Sequence, residues 1–201
     1  MADVVTPQPP LLANFNYDDI ADGTGTVILH AWAGRTDDNT LFYKLGPELT
    51  FSEITELTVA NGGPDTTATF YSGKFNVPKV LNGDCIVSWY WFTSNSNFYG
   101  DYILSLYHYR GTTSTQIGST ATRTQADNEG SRSQNVLFTA DNIKFKRGDQ
   151  LKLELAFNIN DGGYGAIAID PMNSDGTYIK PQTTTAHANS LKVRLPFRID
   201  R

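Results

Sequence analysis

A single cysteine, Cys85, leaves this 201-residue chain no partner for an intrachain disulfide, and its apolar neighbours suit a small packed hydrophobe. Nothing in the chain calls for an oxidising compartment. No apolar run approaches the roughly 20 residues that a membrane-crossing helix needs, so no membrane partner is expected. The opening MADVVTPQPPLLANF carries neither a basic leader nor an apolar run long enough for a signal peptide. The expectation is a soluble protein made in a cytosol and kept there unless a particle carries it out. Sixteen lysines and arginines stand against 21 acids, a balance that gives no reason to expect nucleic acid.

Catalytic and metal signatures are equally scarce. His30, His108 and His187 fall in three separate segments without ligand spacing, which argues against zinc. No nucleophile elbow, zinc-protease helix, phosphate loop or dinucleotide fingerprint occurs. Loop carboxylates are plentiful, but nothing in the sequence pairs two of them across a cleft. The chain is therefore expected not to be an enzyme and to need no cofactor or metal. In DPMNSDG, residues 170–176, the first calcium-ligand position falls on Pro171 with Asp170 one residue out of register, so a rigid turn is favoured over a calcium loop.

What is abundant is alternation. Leu151, Leu153, Leu155 and Phe157 fall on one face of KFKRGDQLKLELAF, residues 144–157, while Lys152 and Glu154 fall on the other. A pleated strand with one buried side has that period, and Gly148-Asp149 supplies the turn ahead of it. Arg147-Gly148-Asp149 also spells the tripeptide that integrins recognise, although a plain turn explains it better. The closing stretch alternates again through Leu191, Val193, Leu195, Phe197 and Ile199. There Pro196, lacking a backbone donor, implies a sheet edge or a bulge.

Further strands are predicted over TVILHAWAG from Thr26, over 40–45, 67–71, 135–139 and 164–169, and from Asn76 to Leu81 with an interruption at Pro78. Residues 49–59 suit either a helical turn, through Ile54 and Leu57, or a strand, through Thr50, Thr55, Thr58 and Val59. Two central stretches, DCIVSWYWF (84–92) and DYILSLYHYR (101–110), are apolar on both faces, and the short connection SNSNFYG predicts that they pair as an antiparallel hairpin. Either a partner subunit covers their second face, or amphipathic aromatic rings line a half-exposed surface. Residues 111–132 are rich in Thr, Ser, Gln and Gly with only Ile117 as a large aliphatic, so a weak strand within long loops is expected.

With about eight to ten strands and no clear helix, the chain is predicted to be all-β, an antiparallel β-sandwich of jelly-roll type. Residues 1–14, with Pro7, Pro9 and Pro10, form a proline-rich arm; residues 15–201 form one domain. Charge is lopsided: nine acids and two bases in residues 1–60 against twelve and fourteen in 61–201. Asp18, Asp19, Asp22, Asp37 and Asp38 either face a basic partner or sit in solvated loops, the plainer reading. Trp89, Trp91, Phe98 and Tyr99 gather on the expected hairpin and its tip, where exposed rings could stack on sugars. Trp89, Trp91, Tyr107 and Tyr109 are the candidate subunit-interface residues.

Taken together, residues 144–157, the DPMNSDGTYIKP loop and the closing SLKVRLPFRID make a layout that resembles jelly-roll structural proteins of tailed viruses, over roughly residues 23–200. That resemblance implies a virion component, a decoration or cement protein or a related head or tail module. It implies self-association, commonly as a trimer, and docking on a major capsid or other virion protein after synthesis in the host cytoplasm. A carbohydrate-binding β-sandwich using the hairpin aromatics is the alternative.

Overall fold

The computed structural model describes residues 24–48, 52, 54, 56–60, 66–93, 99–125, 132–161, 164–169 and 190–199. Eleven strands run in chain order: β1 Thr24–Arg35, β2 Leu41–Gly46, β3 Glu56–Ala60, β4 Thr66–Ser72, β5 Lys79–Thr93, β6 Tyr99–Arg110, β7 Thr113–Gln125, β8 Arg132–Phe145, β9 Gln150–Asp161, β10 Tyr164–Ala168 and β11 Lys192–Ile199. Among the described residues no helix is long and apolar enough to cross a membrane. Of the ambiguous stretch 49–59, the end belongs to strand β3, Glu56–Ala60; residues 49–51, 53 and 55 lie outside the described residues.

Hydrogen bonding joins the strands into one sheet in the order β3-β10-β5-β11-β1-β2-β4-β9-β6-β7, with β8 on the other side of β5. Every pairing is antiparallel except β2 with β4, a parallel contact of two residue pairs, Lys44↔Tyr71 and Leu45↔Ser72. The sheet folds over on itself, so that β8-β5-β11-β1 faces β4-β9-β6-β7 across one apolar core. An all-β jelly-roll sandwich is the result, as the alternating pattern predicts.

Each clean alternation becomes a core face. Leu151, Leu153, Leu155 and Phe157 of β9 are buried, as are Leu191, Val193, Leu195 and Phe197 at β11. Of the two placements open to Pro196, the bulge is realised: β11 lies between β5 and β1, and its register with β5 shifts between Arg194 and Phe197. Gly83 faces it, with a φ of +114° and room for a Cβ only 3.5 Å from Pro196 Cγ. Two irregularities thus sit back to back, the usual way a central strand tolerates proline.

The expected β5/β6 hairpin is a correction. β5 pairs with β8, β10 and β11, and β6 pairs with β7 and β9. The connection carries the chain from one layer to the other, so the two apolar faces meet front to front. Trp89 and Tyr102 mark the contact, with ring centroids 6.2 Å apart. The physical reason is economy of burial: Cys85, Val87 and Trp89 are covered by the layer holding Tyr102, Leu104 and Leu106, which edge-to-edge pairing would not achieve.

The polar stretch 113–125 is a full strand rather than a fragment in loops. Its β-branched threonines suit a pleated edge against β6, and Ile117 is its fully buried anchor. Gly118, at φ +66°, lets β7 approach β8: a Cβ there would stand 3.3 Å from Thr139 N and 3.4 Å from Phe138 Cα. Gly118→Ala would meet both a left-handed backbone and a facing main chain. A loss of about 2 kcal/mol in unfolding free energy is expected, read by urea titration; an unchanged midpoint would show that β7 does not need this approach.

The turn before β9 is a second fixed point. Asp149 is 3% exposed, and its carboxylate accepts hydrogen bonds from Arg110 Nη2 and Nε at 2.7 and 2.9 Å, His108 Nε2 at 2.7 Å and the Lys146 amide at 2.7 Å. The backbone of the turn joins Phe75, with Phe75 N–H donating to Asp149 O and Gly148 N–H to Phe75 O, both at 2.9 Å. The Arg-Gly-Asp tripeptide is therefore not displayed for recognition, because its acid is consumed inside the fold.

Candidate functional site

Alternation also decides what lies outside. Between buried Cys85, Val87 and Trp89, Ile86 and Ser88 of β5 point outward; Ser133, Asn135 and Leu137 do so on β8, and Lys192 and Arg194 on β11. Register then aligns them. Leu137, Ile86, Arg194 and Ile28 form one cross-strand row, and Asn135, Ser88, Lys192 and His30 form the next. The β8, β5 and β11 members of these rows line a groove of about 540 Å³, to which Trp89 of β5, Arg123 of β7, and Ser133 and Gln134 of β8 also contribute. That volume lies within the range of small-ligand sites, roughly 300–1,000 Å³.

The groove combines cations, amides and hydroxyls with exposed apolar carbon, Leu137 being 60% exposed; Ile28, 37% exposed, lies beyond it at the β1 end of the same row. Arg123, Lys192 and Arg194 supply positive charge, and no carboxylate lines it among the described residues. The nearest acid on the β5 outer face, Asp84, accepts a hydrogen bond from Thr139 Oγ1 at 2.8 Å. Burial first, and Arg194 second, hold the Lys192 amine below its ordinary range. Burial and then Lys192 do the same to the His30 imidazole, whose buried Nδ1 has no hydrogen-bond partner among the described residues.

The opposite layer presents a different surface. One cross-strand row reads Trp32, Lys44, Tyr71, Lys152, Tyr107, Gln116 across β1, β2, β4, β9, β6 and β7. Lysine ammonium groups sit over rings: Lys44 Nζ lies 5.5 Å from the Trp32 centroid and 5.0 Å from Phe42, and Lys152 Nζ 4.9 Å from Tyr107. Tyr109 packs against Tyr71 at 5.2 Å, and Lys152 pairs with Glu154 at 2.7 Å. The four rings Trp32, Tyr71, Tyr107 and Tyr109 are half-buried.

The residues singled out from sequence are divided by this architecture. Trp89 is 1% exposed; it closes the groove floor from within the core and offers neither a stacking face nor an interface, a correction that follows from its inward pleat. Trp91 lies in β5 opposite Arg132 and Ile167, and Tyr99 opens β6 opposite Asp161; their side chains, and Phe98, lie outside the described residues. Tyr107 and Tyr109 do lie together on the outer face. The candidate calcium loop 170–176, the arm 1–14, and Asp18, Asp19 and Asp22 also lie outside the described residues, among which no group of three metal-ligating side chains occurs. Asp38 serves its own β1–β2 turn, accepting from Thr36 Oγ1 and from Thr40 N at 3.2 Å. Of the groove-lining residues, sequence reasoning singled out only Trp89; most of the others are ordinary solvent-face positions, spread over four separate strands.

No protein-family model and no curated protein matches the chain. Solved structures do. A CocE/NonD family hydrolase from Staphylococcus aureus matches with a TM-score of 0.53 at 10% identity over 87% of this chain, which spans only 36% of the hydrolase. Weaker matches include a structure of infectious bursal disease virus, at TM-score 0.33 and 12% identity over 88% of this chain and 36% of the viral one. A family 16 carbohydrate-binding module matches at TM-score 0.29 and 16% identity, over 55% of this chain and 70% of the module. At these identities the likeness is one of fold, and the two weaker scores carry no argument. The class is an all-β jelly-roll sandwich. The expectation that the chain is not an enzyme is corrected: the same architecture forms part of a hydrolase, so this fold does not set the chain apart from enzymes.

Proposed function

We propose that this chain is a structural component of a virion, of the decoration or cement kind or a related head or tail module, that associates with copies of itself and with a capsid protein. The observation that supports this reading is the outer face of β4-β9-β6, where Tyr71, Tyr107 and Tyr109 lie half-buried side by side with Lys152 among them. Tyrosines with a fixed lysine give a surface that is apolar enough to dock and polar enough to stay soluble alone.

The test is the solution mass of the purified full-length chain by light scattering. A trimer is expected, converted to monomer by the double change Tyr107→Ser and Tyr109→Ser with the β-sheet circular dichroism retained. A monomer at every concentration, with no binding to any capsid assembly, would end this reading. A second reading, a carbohydrate-binding β-sandwich, is favoured by the groove: amides and hydroxyls at Ser88, Ser133, Gln134 and Asn135 match sugar hydroxyls, and Ile86 and Leu137 match sugar C–H faces.

A further inference from the structure

Although the chain carries a net charge of -5, cations gather at one end of the sandwich, a feature neither reading above uses. Three connections meet there: 73–78 between β4 and β5, 111–112 between β6 and β7, and 146–149 between β8 and β9. Phe75 N–H donates to Asp149 O, Gly148 N–H donates to Phe75 O, and Arg110 Nη2 donates to the Asp149 carboxylate at 2.7 Å, so the three are tied together. Residues 73–79, 110–113 and 144–149 hold Lys74, Lys79, Arg110, Lys144, Lys146 and Arg147 against one acid, Asp149. That acid is buried and already engaged by Arg110, His108 and the Lys146 amide. Lys74, Lys146 and Arg147 are exposed, and none of the three has an acid partner among the described residues.

We infer that this end docks on the surface of a membrane that contains anionic lipid. Val77 is 57% exposed and Pro78 beside it is exposed too, so the end carries an apolar tip as well as charge. The bonds of Phe75 to residues 148 and 149, and the register of Lys79 with Phe145, bracket residues 76–78 and set them alongside 146 and 147. Val77 therefore stands among the cations. The connection that bears it is anchored on the core side, where Phe75 meets Phe145 and Phe197 edge-on at 5.1 and 5.3 Å. Ser72 Oγ, at its start, accepts a hydrogen bond from Leu151 N–H at 2.8 Å. Ammonium and guanidinium groups would meet lipid phosphates and carboxylates, while valine and proline reach the acyl boundary. The expectation of no membrane partner rested on the lack of a spanning run, which surface docking does not need.

Two other partners fit less well. Lysine is depleted where proteins meet, yet it outnumbers arginine among the six cations of this end. Single-stranded nucleic acid stacks its bases on exposed rings, whereas Phe75 and Phe145, the aromatic residues of these three stretches, pack into the core.

The experiment is co-sedimentation of the full chain with vesicles of phosphatidylcholine alone and of phosphatidylcholine with about 30% phosphatidylserine. Binding is expected to the anionic vesicles only, and to fall as salt rises from about 0.1 M to about 0.5 M. Lys74→Gln, Lys146→Gln and Arg147→Gln are each expected to weaken it about fivefold. Val77→Ser is expected to weaken it about threefold through lost apolar contact. All four residues are exposed, so the melting temperature of each variant is expected to stay unchanged. Equal sedimentation with both vesicles, or with neither, would overturn the inference. So would a Val77→Ser variant that binds as the wild type does, because charge alone would then account for the attraction. Tighter binding to a heparin-derived tetrasaccharide or to oligo-deoxythymidylate, read by calorimetry, would overturn it in favour of a soluble polyanion.

Discussion

Asp149→Ala is expected to lower the unfolding free energy by about 3 kcal/mol at pH 7. Removing this carboxylate strands the Lys146 amide, His108 Nε2 and two arginine N–H groups that now point at it. The figure stays moderate because the Arg110 side chain is 47% exposed and water partly replaces what it loses. Since an ionised carboxylate only accepts, His108 must donate from Nε2, which fixes that ring against Phe145 at 4.4 Å. The same change therefore loosens Phe145, and with it Phe75 and Phe197, whose rings meet it edge-on at 5.1 and 5.7 Å.

The pH dependence gives this prediction a second, independent reading. Hydrogen bonds from Arg110 above all, opposed by burial and helped by Lys146 and His108, hold the Asp149 carboxyl well below the usual carboxylate range. A depressed folded-state pKa contributes stability that is fully present above the unfolded value of about 4 and is lost as pH falls through the folded value. The difference between wild type and Asp149→Ala in urea midpoint is therefore expected to be full at pH 7 and to narrow steadily below about pH 4. A gap that is absent at pH 7, or that does not change with acid, would mean the carboxylate is not the element holding this turn.

How much of this was legible in the sequence depends on which faces were buried. β9 and β11 announce themselves because one side is covered and the other wet, so that burial prints a period of two on the residues. β7 prints almost nothing, because a strand at the end of the sheet with one large aliphatic residue, Ile117, can be built from threonine and serine. The β5/β6 relationship was misread for a different reason. Two apolar strands joined by a short connection satisfy equally well an edge-to-edge hairpin and a face-to-face crossing, and local pattern does not separate them. The core contact between Trp89 and Tyr102 does.

The groove was hidden by the same logic that made the fold visible. Ser88, Asn135, Lys192 and Arg194 occupy the wet positions of alternating strands, where polar residues are expected and carry no signal. Only the pairing of β5 with both β8 and β11 assembles them, and that register depends on two bulges, one near Gly83 and one at Pro196. A site made by register across strands far apart in sequence has no linear motif to find.

Trp89 is where the two interpretations of this region part, and Trp89→Ala is expected to cost about 4 kcal/mol in unfolding free energy. Its ring is among the largest fully buried side chains, packed against Tyr102, which in turn meets Phe157 at 5.0 Å. Truncation would leave a cavity between layers that both consist of hydrogen-bonded strands and collapse only in part. Trp89→Phe is expected to lose no more than about 1 kcal/mol: phenyl refills most of the space, and the change removes a buried indole N–H that has no partner among the described residues. That asymmetry distinguishes packing from recognition. Were Trp89 a sugar platform, alanine would leave the urea midpoint intact and abolish binding, and phenylalanine, still a flat ring, would keep binding with equal stability. A core residue predicts the reverse order of sensitivities, with the alanine variant unfolding early before any ligand is added.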